Sequence, residues 1–135
     1  MRTEAQGKTV KVIEVFAKEQ TGNGTVSTGW VSRKGFDSAR VFASVEAPTG
    51  SPSALTGTLI VEHATSGAGA GSATFATIKA ATSVLAGVIL EGAVNLRTAN
   101  EFIRVSSALV FTAGTTPKAV VAAGIAATGS DTTPV

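Results

Sequence analysis

Glu62 and His63 are the one place in the chain where a carboxylate stands beside the single imidazole. That residue pair is the raw material of general acid–base chemistry or of a metal site. The spacing works against both. Neighbours on a strand point to opposite faces, so the two groups do not converge. A metal also needs more ligands than one His and one carboxylate supply. With no Cys, thiolate sites and disulfides are excluded. Gly-x-Ser-x-Gly, the frame of a nucleophile elbow, occurs nowhere. Gly67-Ala68-Gly69-Ala70-Gly71-Ser72 has the texture of a phosphate cradle but lacks the Gly-Lys-Ser/Thr ending, and it separates two strands rather than opening a helix. It is expected to be a plain flexible connection. Glu46, Glu62, Glu91 and Glu101 are the carboxylates a glycosidase would need. They fall at strand ends or exposed-looking positions and are expected to be solvated. The expectation is a protein that is not an enzyme, with no catalytic set, no cofactor and no metal.

The second kind of chemistry is contact chemistry. Trp30 stands close to Arg33 and Lys34, an aromatic-basic grouping that suits a sugar or a nucleic acid. A net charge of +2 without strong basic clustering argues against nucleic acid. Arg40, Arg97 and Arg104 lie in or beside expected strands, and arginine is favoured at interfaces for its bidentate pairing. With Arg2, these residues form the set of candidate contacts: Arg2, Trp30, Arg33, Lys34, Arg40, Arg97 and Arg104. Asn23-Gly24-Thr25 fits the glycosylation pattern, but no secretion signal accompanies it.

The elements that must position these residues are short strands. Val10 and Val12 alternate with Lys11, and the alternation breaks at Ile13, which allows a bulge. Asn23-Gly24 signals a tight turn before a strand at Thr25–Val31. Ser32–Ser38 is expected to be a polar loop. In Ala39–Val45 the alternation puts Val41, Ala43 and Val45 on one face and Arg40, Phe42 and Ser44 on the other. Further strands are expected at Thr58–His63, Thr74–Lys79, Glu101–Phe111 and Lys118–Ala126, separated by Gly/Pro/Ser clusters. Thr82–Leu96 is ambiguous. Val84, Leu85, Val88 and Ile89 could mark a helical face, whereas Gly87, Gly92 and the β-branched residues favour strand pieces. About eight antiparallel strands with so little helix predict an all-β sandwich of jelly-roll type, with an immunoglobulin-like sandwich as competitor.

The 135 residues suit one domain, with a flexible arm at 1–7, a sandwich at 8–127 and a flexible tail at 128–135. The start lacks the apolar core of a signal peptide, and the longest weakly polar run, Ala80–Leu90, is too short and interrupted to span a bilayer. A soluble chain made in the cytoplasm, with no membrane partner, is the expectation. Light charge and abundant Ala, Gly and Thr hint at surface buried in an assembly, so a dimer or trimer is expected.

Gly57-Thr58-Leu59-Ile60-Val61-Glu62, the glycine-rich loop and Phe75-Ala76-Thr77-Ile78 are followed by Asn100-Glu101-Phe102-Ile103-Arg104-Val105 and Phe111-Thr112-Ala113-Gly114. A final Ala/Val/Gly strand completes the series. With Ser38–Ala47 as an early strand, this order resembles the jelly-roll cement, or decoration, proteins of tailed-bacteriophage capsids, over roughly Gly29 to Ala126. The first twenty or so residues match no feature of that family. The resemblance implies a virion protein on the outer capsid surface that binds the major capsid protein, bridges its subunits and stabilises the head. The 1–7 arm and the tail would order on contact. A carbohydrate-binding or adhesive module of a phage fibre or tail is the rival reading, and Trp30 would be its platform.

Overall fold

The computed structural model describes residues 10–129. Nine strands are formed among them: β1 Val10–Thr21, β2 Gly24–Ser27, β3 Val31–Ser32, β4 Phe36–Val45, β5 Ala54–Ala64, β6 Ala73–Ser83, β7 Val88–Asn95, β8 Phe102–Thr112 and β9 Lys118–Gly129. No helix forms among the described residues, so none crosses a membrane. One sheet runs β1-β9-β4-β7 and the other β2-β8-β5-β6, with β3 also on β8. The pairings are antiparallel. β2 and β3 lie along the same strand β8, so they act as one interrupted strand, which gives the eight positions of the expected jelly roll. Only β5 and β6 are sequence neighbours paired in one sheet; the other connections pass between sheets or join β2 to β3.

The core follows from the alternation. Val41, Ala43 and Val45 of β4 are buried, as their spacing predicts, and Val121, Ala123 and Ile125 of β9 lie beside them. The opposite sheet contributes Leu55, Leu59 and Val61 of β5 and Ile103, Val105 and Leu109 of β8. Small residues on one sheet thus meet larger ones on the other, which lets the two layers close at native density. Ala39, Ala119, Ala123 and Ala127 are buried, so part of the alanine that hints at assembly surface is core.

Several boundaries differ from expectation. β1 continues past Phe16 to Thr21 because its pairing with β9 persists to Thr21↔Lys118, and backbone pairing needs no apolar alternation. Its register shifts between Val12 and Glu14, which places the bulge at Ile13. β4 starts at Phe36, inside the expected polar loop. The ambiguous segment is two strands joined at Val84–Gly87, where Gly87 has φ 82°. The chain turns between β1 and β2, but Gly22 takes the left-handed conformation and the flanking strands enter different sheets. Asn23 contributes through its side chain, whose Oδ1 accepts the Phe111 N–H at 2.7 Å. β9 runs through Gly129, so Thr128 and Gly129 belong to a strand, not to a tail. The arm at 1–7 and the remainder of the tail lie outside the described residues.

Candidate functional site

Trp30, Arg33, Lys34, Arg97 and Arg104 come together at one end of the sandwich. The backbone arranges this. Val31 pairs with Ile103, the Arg33 N–H donates to the Glu101 carbonyl at 2.8 Å, and the Leu96 N–H donates to the Asp37 carbonyl at 2.9 Å. The β3–β4 and β7–β8 connections therefore lie side by side. Arg33 is the clasp between them. Its Nε donates to the carbonyls of Ala99 and Asn100 at 3.0 and 3.1 Å, and its Nη2 donates to Ala99 at 2.6 Å. With Lys34, Gly35 and Glu101 it lines a shallow open hollow of about 230 Å³. Arg97, itself exposed, stands 3.7 Å from the half-buried Asp37. Arg40 lies apart, on the outer face of the first sheet, 3.4 Å from Glu91. Arg2 lies outside the described residues.

The outer face of the second sheet carries a connected polar network. Glu62 and Arg104 sit opposite each other on β5 and β8, and the Arg104 Nε donates to Glu62 Oε1 at 2.7 Å. The Ser106 hydroxyl donates to the same oxygen and is linked to the Ser27 hydroxyl at 2.8 Å. Glu62 is therefore not the solvated carboxylate expected from its position: its side chain is 18% exposed and that of Arg104 is 29% exposed. Burial pushes the Glu62 carboxyl up, but the hydrogen bonds from Arg104 and Ser106, with the guanidinium charge, outweigh burial and hold it below the usual glutamate range.

The other side of the network is Trp30. The Arg104 guanidinium lies 4.5 Å from the centre of its ring, a cation–π contact. A Cβ added at Gly69 would come within 2.7 Å of the indole Nε1, and Gly69 has φ 88°. The glycine-rich loop therefore packs against Trp30, as only a residue without a side chain can there. The Arg104 guanidinium thus occupies one face of Trp30.

His63 faces away from this network. Its Nδ1 accepts the Asn100 N–H at 3.0 Å, and its ring tilts against Phe75 at 5.1 Å. It braces the β7–β8 connection from β5. Among the described residues, no cluster of three or more His, Cys, Asp or Glu has the arrangement to hold a metal ion. The Glu62–Arg104 pair joins residues far apart in sequence, and the only hint of it was two opposite charges at outward positions of adjacent strands.

No family model and no curated protein matches the chain. Solved structures do. A chain from infectious bursal disease virus, Gt strain, superposes with a TM-score of 0.55 over 93% of this chain, at 11% identity. A chain from the T13 particle of the same virus gives 0.54 over 92% at 9% identity, and one from its Gx strain gives 0.51 over 90% at 8% identity. This chain spans about a third of the length of each, at 33%, 36% and 37%. At such identity the likeness carries architecture alone. This chain shares its β-sandwich fold with chains of a virus particle.

Proposed function

We propose that this protein is a structural component of a virion that decorates the outer surface of a phage head. There it bridges major capsid subunits and stabilises the lattice. The observation that carries the reading is the two-sheet sandwich, which superposes over nine-tenths of this chain on chains of a virus particle. The charged end supports it further. Lys34 and Arg97 are exposed on a backbone clasped by Arg33 and braced by His63, so their positions are preorganised for a partner. A protein that binds the assembled lattice and not its free subunits stabilises the lattice by mass action. The role is non-catalytic. Its polar groups are spent on one another: Glu62 on Arg104, and His63 Nδ1 on a backbone N–H.

The test is co-sedimentation with heads assembled without this chain. Saturable binding at a fixed ratio to the major capsid protein, with raised resistance of the heads to heat or chelator, is the expected result. Charge pairs at the contact make the binding weaken with salt. Lys34→Glu combined with Arg97→Glu lowers head occupancy about tenfold or more, since each reversal places like charges where opposites met. Absence of binding at every salt concentration overturns the reading. A glycan screen then decides for the adhesive module, whose platform would have to be the Trp30 surface not covered by Arg104.

A further inference from the structure

Asn23-Gly24 leads into β2, and its chemistry is that of a peptide able to modify itself. The chain contains three asparagines, Asn23, Asn95 and Asn100, followed by Gly24, Leu96 and Glu101. Only after Asn23 does a residue without a side chain follow, so only there is the next amide nitrogen open to approach the Asn carboxamide. Asn23 is exposed. It precedes a strand of four residues that pairs with β8 and lies at the edge of its sheet. A strand so short and peripheral belongs to the part of a fold that opens most easily.

In the closed fold both reacting groups are tied to β8. The Asn23 Oδ1 accepts the Phe111 N–H at 2.7 Å. The Thr28 N–H donates to the Val105 carbonyl at 2.9 Å, which makes Thr28 and Val105 a hydrogen-bonded pair of the antiparallel ladder. Such pairs recur at every second residue, so the register through Val26↔Ser107 makes Gly24 and Leu109 a hydrogen-bonded pair as well. The Gly24 N–H is then directed at β8 and away from the carboxamide of its own neighbour. Gln20 braces the turn from the other side. Its Nε2 donates to the Gly22 carbonyl at 3.2 Å and lies where a Cβ on Gly24 would stand. Val26 and Thr28, both buried, hold β2 down. The Thr28 Oγ1 accepts the Val105 N–H at 3.0 Å, and the Ser27 hydroxyl is linked to that of Ser106 at 2.8 Å.

We propose that Asn23 is a deamidation site gated by β2: the reaction is blocked while β2 lies on β8 and proceeds when β2 lifts away. Hydroxide takes the Gly24 amide proton, and the nitrogen attacks Asn23 Cγ. The N–Cγ bond forms, the Cγ–Nδ2 bond breaks, and ammonia leaves with a proton from water, which restores the hydroxide. A second water opens the succinimide at either carbonyl and gives aspartate or isoaspartate. The net change is one water consumed and one ammonia released. Aspartate keeps an oxygen that accepts from Phe111. Isoaspartate sends the main chain through Cγ, so the oxygen that bound Phe111 becomes a backbone carbonyl and the ladder from Gly24 to Ser27 loses its register. A transient opening of the edge strand is thereby made permanent.

Peptide mapping of the full chain after incubation at mildly alkaline pH tests it. Trypsin cuts after Lys18 and Arg33, after Lys79 and Arg97, and after Arg104, so each asparagine falls in its own peptide. In urea above the unfolding transition, the 19–33 peptide gains about 1 Da and acquires isoaspartate, while the peptides of Asn95 and Asn100 stay unchanged over the same time. In the folded chain the same gain is slower by about tenfold or more, because it waits on the opening of β2. Thr28→Val removes the acceptor of the Val105 N–H without touching Asn23 or Gly24. It speeds the reaction in the folded chain and leaves the rate in urea unchanged. Ser27→Ala, which loses only the link to Ser106, acts in the same direction and serves if Thr28→Val does not fold. Equal rates in the folded and unfolded chain overturn the gate. Absence of the mass gain in urea overturns the site. A folded-state rate indifferent to both variants overturns the role of β2.

Discussion

Arg104 joins two different interactions in one side chain. It donates to Glu62 and lies over Trp30. Arg104→Ala removes the ion pair and the stacking together and leaves the Glu62 carboxylate half-buried with only Ser106 to solvate it. The expected cost is about 2 kcal/mol of stability, measured by urea unfolding at neutral pH. The pH dependence has a defined sign. The folded-state pKa of Glu62 lies below its unfolded value, so its contribution is complete above the usual glutamate range and is lost as pH falls through the lowered folded value. Glu62→Gln is expected to flatten that part of the stability–pH curve below the usual glutamate range. Ser107 presents the reverse case. It points into the core of β8, fully buried, and its hydroxyl has no hydrogen-bond partner. Ser107→Ala removes an unpaid desolvation at little cost in volume. It is expected to stabilise by about 1 kcal/mol, and a fall in the urea midpoint would contradict this.

Among the elements, the connections differ in what holds them. The β3–β4 and β7–β8 connections are held by two backbone bonds, Arg33 to Glu101 and Leu96 to Asp37, and additionally by the Arg33 side chain reaching carbonyls. The β4–β5 and β8–β9 connections are held by backbone against backbone. Gly50 is the key to the second case. It has φ 85°, and a Cβ there would meet the Thr115 carbonyl oxygen at 2.5 Å and the Pro117 backbone at 2.8 Å. Neither obstacle can swing aside, because both are main chain. Gly50→Ala is expected to cost about 3 kcal/mol or more, read as a lowered thermal midpoint, since strain and clash add. The strands themselves are less sensitive. Outward positions such as Arg40 and Glu91 form an exposed pair that contributes little to stability.

At the scale of the whole molecule, the jelly roll divides its surface chemistry by end. Because successive strands run antiparallel and most connections change sheet, alternate connections collect at alternate ends. One end receives Arg33, Lys34, Asp37, Arg97 and Glu101, and the other receives loops whose charges are Glu46 and, at the start of β9, Lys118. If the proposed capsid role holds, head binding is expected to weaken as ionic strength rises, because the charged end makes the contact and screening acts on charges; co-sedimentation across a salt series measures this.

What the residues determine by themselves is local. The two-residue period marks Val41, Ala43 and Val45 as an inner face, and the break at Ile13 marks a bulge, because side-chain alternation is a property of a few consecutive residues. The all-β class follows from the same rule repeated along the chain. Strand ends were less legible where backbone pairing, not apolar alternation, sets them, as in β1 from Ala17 to Thr21 and β9 at Thr128. The polar network was not legible at all. Glu62 and Arg104 meet only because β5 pairs with β8 in a given register, and such pairing is fixed by closing two sheets over one core. Four runs without a charged residue or histidine, 20–29, 47–61, 80–90 and 105–117, are written plainly in the sequence. That all of them converge on one end is decided by the tertiary structure alone, because only the order of strands across two sheets determines which loops become neighbours.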